Sequence, residues 1–339
     1  MGCLDCLPAA LRLDYPAFLN SYWAPMKFAA IFPGQGSQSI KMLSELSASY
    51  SSVKHTFDEA SEVLSLDLWK LTQEGPESDL NSTENTQPAM LAAGIAVWRV
   101  WNEQGGCAPL ALAGHSLGEY SALVASNALV FSTAVTLVAE RGRQMQAAVP
   151  EGKGGMAAIL GLDDEAVIEL CEAQANGQVL SAVNFNSPGQ VVIAGEAEAV
   201  DRAVDAAREA GAKRAIKLPV SVPSHCELMR PAAKNIAARL AEIDIQVPVA
   251  PVIHNVDAAV RTDAEGIRSA LSSQLYQPVR WVDSVAELKS RGATQLIEFG
   301  PGKVLTGLAR RIDRRLAALC VFDSESLDKA LAGCEGDGI

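Results

Sequence analysis

The sequence predicts an α/β protein: a mainly parallel sheet covered by helices, with a smaller β-α-β-β-α-β unit inserted into it. Three observations carry this prediction. Strand-like and helix-like segments alternate from Met26 onward, as in a parallel sheet with crossover helices. In the middle of the chain the order changes to four strands and two helices in the ferredoxin-like arrangement. The 339 residues are 49% hydrophobic and 20% charged, which supplies a sizeable core and argues against wholesale disorder.

Residues 27–32 read as a short apolar strand ending in the loop Pro33-Gly34-Gln35-Gly36-Ser37. Residues 86–104 read as a helix, with Thr86 as cap, Pro88 in the first turn, and Leu91, Ile95 and Trp98 at i, i+4 and i+7. Gly105-Gly106 ends it. Residues 110–114 read as a buried strand, followed at once by a helix at 118–126, and 132–147 as a further helix. In the inserted unit, 155–162 is a strand and 163–174 a helix. Residues 179–185 and 190–194 are strands around a Pro188-Gly189 turn, 196–210 is an amphipathic helix and 213–220 a strand. The expected organisation is an α/β-hydrolase-like large domain in two segments, 26–149 and 222–325, meeting around a cleft beside the insert at 150–221. Residues 1–25 read as a disordered extension or non-native start, and 326–339 as a tail. No solenoid repeat or low-complexity tract is visible.

The charge balance is 28 basic against 40 acidic residues, a net charge of −12. That argues against bulk nucleic-acid binding, which needs a basic face. Seven cysteines, with only Cys3 and Cys6 close together, fit neither a disulfide framework nor a zinc pattern, and reduced cytosolic thiols are expected. No apolar run reaches the roughly 18 residues needed to span a bilayer. The first 25 residues lack the basic start and apolar centre of a secretory signal. Gly2 suggests myristoylation, but Cys6 stands where that motif needs Ser or Thr. A cytoplasmic protein is expected, with a monomer as the default.

The sharpest chemical signal is Gly114-His115-Ser116-Leu117-Gly118, a G-x-S-x-G sequence with a strand before it and a helix after it. A nucleophile must project from a tight turn, and small residues on either side let the backbone pass. Ser116 then sits at a helix N-terminus whose N–H groups can stabilise an oxyanion. Serine needs a base, and the chain has four histidines: His55, His115, His225 and His254. His55 lies in a polar helical stretch. His115 would point away from the serine across the strand end. His254, in a strand-like run, reads as a satisfied structural histidine and is the runner-up. His225 follows the last strand of the insert, where a loop would return to the cleft, and is the expected base. On the helix at 132–147, Arg141 shares the apolar face of Ala134, Leu137, Val138 and Met145, while Arg143 lies about 200° further round. A core-facing arginine needs an anion or an acceptor network. A structural ion pair and a clamp for a substrate carboxylate both satisfy that need.

Together these residues resemble the malonyl-CoA:acyl carrier protein transacylases of type II fatty acid synthesis and the related acyltransferase domains of polyketide synthases. The resemblance runs from about Met26 to near Asp323. Besides the Gly114–Gly118 elbow and Arg141-Gly142, it rests on Phe32-Pro33-Gly34-Gln35-Gly36-Ser37-Gln38 and Val183-Asn184-Phe185-Asn186-Ser187-Pro188-Gly189-Gln190. It continues in Val222-Pro223-Ser224-His225, Gln274-Leu275-Tyr276 and Glu298-Phe299-Gly300-Pro301-Gly302-Lys303. The resemblance implies ping-pong transfer of malonyl from malonyl-CoA to the phosphopantetheine thiol of holo acyl carrier protein, supplying extender units, with no permanently bound cofactor and no metal. It implies Ser116 as nucleophile and His225 as its base, oriented by a carbonyl near Gln274. Gln35 and the backbone N–H of Leu117 would form the oxyanion hole. Arg141 would grip the malonyl carboxylate. Asn184 and Gln190 would shape the pocket, a structural loop being the competing reading. The turn at Gly300-Pro301-Gly302-Lys303 lacks P-loop spacing.

An acidic carrier needs a local basic patch on an acidic enzyme. Lys213 with Arg214, and Arg310 with Arg311, Arg314 and Arg315 in one helix, are the candidates. Three alternatives stand beside this reading: a serine hydrolase or thioesterase sharing the elbow, a non-catalytic scaffold, and an acyltransferase for a branched acyl group such as methylmalonyl.

Overall fold

A computed structural model describes residues 27–220 and 222–334. The expectations for 1–25, with Gly2, Cys3 and Cys6, and for the last five residues of the tail lie outside the described residues.

The large domain is built on a five-stranded, all-parallel sheet in the order β7-β2-β1-β8-β9. Its central strand β1 (Phe28–Phe32) is buried along its whole length, as a run of five apolar residues with no polar alternation requires in a sheet covered on both faces. The sheet's two faces divide the side chains by parity. Phe28, Ala30 and Phe32 enter one core cluster, and Ala29 and Ile31 the other.

After β1, short helices α1 (Ser44–Ser49), α2 (Ser51–Leu64), α3 (Leu68–Glu74) and α4 (Glu77–Leu80) lead to α5 (Thr83–Glu103). The α5 helix starts one turn before the expected Thr86. Thr86 is not its cap: its Oγ1 donates to the carbonyls of Leu80 and Ser82 from inside the helix. Pro88 therefore lies within α5, where its missing N–H leaves the Glu84 carbonyl without an i+4 donor. Trp98 and Trp101 of α5 pack edge-on against Phe299, at 5.0 and 5.3 Å between ring centroids.

Next come β2 (Ala111–Gly114), α6 (Gly118–Ala125) and α7 (Phe131–Ala148). The inserted unit follows as β3 (Gly154–Leu160), α8 (Asp164–Ala175), β4 (Leu180–Ser187), β5 (Gln190–Glu196), α9 (Ala197–Glu209) and β6 (Arg214–Lys217). Its antiparallel sheet has the order β4-β5-β3-β6, the ferredoxin-like order. The unit is stitched to the large domain: Phe185 N–H donates to the Val279 carbonyl at 3.0 Å, and Val279 N–H to Val183 at 2.8 Å.

The chain then returns through α10 (Arg230–Ala241), β7 (Val252–Ile253), α11 (Ala264–Gln274), α12 (Trp281–Ser290), β8 (Gln295–Phe299), α13 (Val304–Ile312), β9 (Ala317–Val321) and α14 (Ser324–Leu331). Helix α14 corrects the expected tail at 326–339. Asp323 and Ser326 form a reciprocal cap, and Leu327 and Ala330, three apart on one face, are fully buried. Arg314 and Arg315 are corrected too, since they fall in the turn after α13 rather than within it. The expectation of reduced thiols throughout is corrected at one pair. Cys107 and Cys334 form a disulfide across a separation of 227 residues. Tertiary packing brings the loop after α5 beside the end of α14, which no sequence spacing signals. Among the described residues, Cys171, Cys226 and Cys320 are free, and no helix is long and apolar enough to cross a membrane.

The parallel registers position the site. Phe32 pairs with Gly114 and Ala113 with Ile253. The carboxyl ends of three neighbouring strands thus deliver Gln35, Ser116 and Asn255 to one edge, where open α/β sheets place their ligands.

Candidate active site

Ser116 projects from the turn between β2 and α6 with φ of 51°, in the left-handed region that non-glycine residues rarely adopt. The turn is tight enough to need its glycines. A Cβ on Gly114 would collide with the Gly118 backbone, and one on Gly118 with the Phe32 carbonyl. A Cβ on Gly34 would likewise strike the His115 carbonyl, so the Gln35 loop lies directly against the elbow.

His225 Nε2 lies 2.8 Å from Ser116 Oγ, and its Nδ1 lies 2.6 Å from the main-chain carbonyl of Gln274. A carbonyl can only accept, which assigns the ring proton to Nδ1 and leaves Nε2 to accept from the serine. His225 is buried, with φ of 66°. Burial first, and then the positive charge of Arg141, hold its pKa down at about 3, against the smaller opposing pull of the Gln274 carbonyl. It is therefore a neutral base at pH 7. The partner at Nδ1 is a carbonyl and not the carboxylate of a hydrolase triad.

The other histidines separate as geometry requires. His254 is fully buried, with Nδ1 2.7 Å from Glu119 Oε1. His55 is exposed on α2. His115 bonds Asn186 Oδ1 of the insert through Nε2 at 2.8 Å and lies 5.6 Å from the Trp281 ring. It also lines the cavity that holds Ser116, so the expectation that it points away from the site is corrected. Burial lowers its pKa.

Arg141 of α7 is 1% exposed. Nη1 donates to Gln87 Oε1 at 2.8 Å and Nη2 to Gln274 Oε1 at 2.9 Å. The guanidinium lies 5.5 Å from the Tyr120 ring centroid. Among the described residues its acceptors are these two amide oxygens, with no ion pair, and its buried Nε has no partner. Burial lowers its pKa, an effect that Tyr120 and Glu119 partly offset. A buried cation held by neutral amides, with a donor to spare, suits an incoming anion better than a structural ion pair does.

One cavity joins Gln35, Ser116, Leu117, Arg141, Asn184 and His225. Asn184 aligns with Val279, and its Oδ1 is buried without a partner. Gln190 does not line this cavity. It begins β5 at the far end of the hairpin, where it accepts from Arg311 at 2.6 Å. Leu160 pairs with Gln190 on one side and Arg214 on the other, so Arg311 and Arg214 lie at the same end of the insert. Lys213, Arg214 and Arg311 are exposed there, whereas Arg310, also exposed, reaches toward the Ala318 carbonyl of β9.

Sequence reasoning missed three site residues: Gln87, Asn255 and Glu119. Asn255 Oδ1 accepts Ser116 N–H at 2.7 Å and its Nδ2 donates to the Gly114 carbonyl at 2.7 Å. The available signals were a glutamine inside an apolar helix and a polar pair, His254-Asn255, directly after a strand.

The acyl transferase domain family matches residues 30–313. The malonyl CoA-acyl carrier protein transacylase of Salmonella typhimurium is 57% identical over 305 residues, covering 90% of this chain and 99% of that protein. Its counterpart in Bacillus subtilis is 47% identical over 306 residues, covering 90% and 96%. Among solved structures, the malonyl CoA-acyl carrier protein transacylase of Coxiella burnetii superposes with a TM-score of 0.91 at 48% identity, covering 93% of this chain and 99% of that one. The malonyl-transacylase PlMCAT, in complex with the type II PKS acyl-carrier protein AntF, gives 0.89 at 56% identity, covering 90% and 99%.

Proposed function

We infer the chemistry of this site from one premise: the chain belongs to the acyl transferase family, among its malonyl-CoA:acyl carrier protein transacylases. The enzyme transfers malonyl from malonyl-CoA to acyl carrier protein and so supplies extender units for fatty acid synthesis. The observation that carries the mechanism is the 2.8 Å contact between Ser116 Oγ and the neutral His225 Nε2.

In the first half-reaction His225 Nε2 takes the Ser116 proton as Oγ attacks the thioester carbon. The oxyanion lies at the helix N-terminus, where the Gln35 and Leu117 N–H groups donate to it. When the tetrahedral intermediate collapses, the carbon–sulfur bond breaks and CoA leaves as the thiol with the proton from His225. In the second half-reaction the phosphopantetheine thiol of the carrier gives its proton to His225. Its sulfur attacks the malonyl ester, and Ser116 leaves and regains the proton. Arg141 holds the malonyl carboxylate throughout, Gln274 orients both Arg141 and His225, and Asn184 shapes the pocket wall. All the acid–base chemistry rests on the chain's own residues, and the substrates are one thioester, malonyl-CoA, and one thiol, that of the holo carrier.

We place the docking of the acidic carrier at the basic face of Lys213, Arg214 and Arg311, with Arg310 beside it on α13. Arg311 bonding Gln190, one strand away from the Leu160–Arg214 pair, supports that choice. The setting proposed is a monomer in the cytoplasm.

Initial rates at several fixed concentrations of holo carrier protein and varied malonyl-CoA test the two-step route. Parallel lines in a double-reciprocal plot are expected, because CoA departs before the carrier reacts. Intersecting lines would show direct transfer in a ternary complex and would reject the acyl-enzyme.

A further inference from the structure

A buried carboxylate that no step of this mechanism uses lies under the site. Glu119, near the start of α6, is fully buried. Its Oε1 faces His254 Nδ1, while its Oε2 accepts Asn255 N–H at 2.9 Å and Gln274 Nε2 at 2.8 Å. Each of the last two partners leads to a working residue. Asn255 holds the elbow through Ser116 N–H and the Gly114 carbonyl. Gln274 donates to the Ser116 carbonyl at 3.0 Å, accepts from Arg141 through Oε1, and accepts from His225 through its main chain.

The chemistry of residue 119 decides which way the Gln274 amide faces. Asn255 N–H and the Gln274 amide both donate to the Glu119 carboxyl, so it meets the NH₂ end of that amide. The oxygen end then faces Arg141, which only donates. A neutral amide at 119 upsets this order. If its NH₂ faced Gln274 and Asn255, donor would meet donor. If it faced His254, that ring would have to accept at Nδ1 and carry its proton on Nε2, a buried atom without a partner. Either arrangement leaves a buried donor unmet or turns Gln274 over, with its NH₂ toward Arg141.

We propose that Glu119 is a positioning residue: it fixes the Gln274 amide and through it aims Arg141, and so sets the preference for malonyl over an uncharged acyl group. The proposal rests on Arg141 being the carboxylate clamp. The Asn255 arm serves the elbow and is common to all acyl groups.

The test compares kcat/KM for malonyl-CoA and acetyl-CoA in the full-length enzyme, normalised to the fraction of sites that acylate. In Glu119→Gln the malonyl-to-acetyl ratio should fall about 10-fold or more, the scale of one buried hydrogen bond left unmade, and mainly through KM for malonyl-CoA. In Asn255→Ala both substrates should slow together with the ratio unchanged. An unchanged ratio in Glu119→Gln, with the ratio lost in Arg141→Ala, overturns this proposal and leaves the clamp standing. An unchanged ratio in Arg141→Ala overturns the clamp itself. An equal fall in ratio in Asn255→Ala means general loosening and also overturns the proposal. Should Glu119→Gln fail to fold, Glu119→Asp, which draws the carboxylate back by one methylene, is read by the same ratio, and an unchanged value again overturns the proposal.

Discussion

Replacing His225 with alanine is expected to slow acylation of Ser116 by about 10⁴-fold or more, as loss of the base does in other serine acyl-transfer sites. The free hydroxyl is a weak nucleophile, and within hydrogen-bond reach the described residues offer it His225 Nε2 at 2.8 Å. The pH profile follows from the same geometry. The base works only when neutral, and burial with the Arg141 charge keeps its pKa at about 3, well below the ordinary 6.5. With acetyl-CoA, which has no carboxylate of its own to titrate, kcat/KM should stay flat as pH falls through 6.5. It should decline only as pH approaches about 3, where Nε2 gains a proton. An acid limb centred near 6.5 would mean that the imidazole is neither buried nor influenced by Arg141 in solution.

Arg141→Ala should cost malonyl-CoA about 10²- to 10³-fold in kcat/KM, the scale of stripping the partner from a buried charge. Acetyl-CoA, without a carboxylate, should be nearly unaffected, so the preference for malonyl disappears. Arg141→Lys should not restore it. A single ammonium cannot reach Gln87, Gln274 and a substrate carboxylate together, whereas the guanidinium fork already spans the two amides at 2.8 and 2.9 Å. Arg141→Ala also leaves the Gln274 oxygen without its donor, at about 1–3 kcal/mol of stability, which thermal unfolding would show. Equal losses for malonyl and acetyl would contradict the clamp and return Arg141 to a structural part.

How much of this was legible in the sequence depends on the kind of signal. Strand β1 and the elbow were readable because both depend on local pattern: a fully apolar run, and small residues flanking a serine between strand and helix. The inserted unit was readable from the order of its elements, which the sheet order β4-β5-β3-β6 reproduces. His225 emerged because four histidines left few candidates and the chain had to return to the cleft after the insert. The residues that escaped are held by long-range contacts. Gln87 meets Arg141 across 54 positions and Asn255 meets Ser116 across 139. Glu119 sat in plain view beside the elbow, yet its three acceptor contacts depend on β7 and α11 arriving beside α6. The Cys107–Cys334 bond is invisible for the same reason. The early start of α5 and the existence of α14 are local misreadings. Thr86 resembled a cap but lies inside its helix, and the Asp323–Ser326 cap resembled a tail.

Transfer of malonyl through an ester on Ser116 is the step on which the rest of the mechanism depends. Its most direct test is intact-protein mass spectrometry of the full-length enzyme, mixed briefly with malonyl-CoA and then chased with holo carrier protein. A malonyl mass is expected on the enzyme that maps to Ser116, is absent in Ser116→Ala, and moves to the carrier's thiol during the chase. An adduct lost to water while the carrier stays unmodified would contradict it and make the protein a hydrolase. Malonyl reaching the carrier in Ser116→Ala would contradict it from the other side.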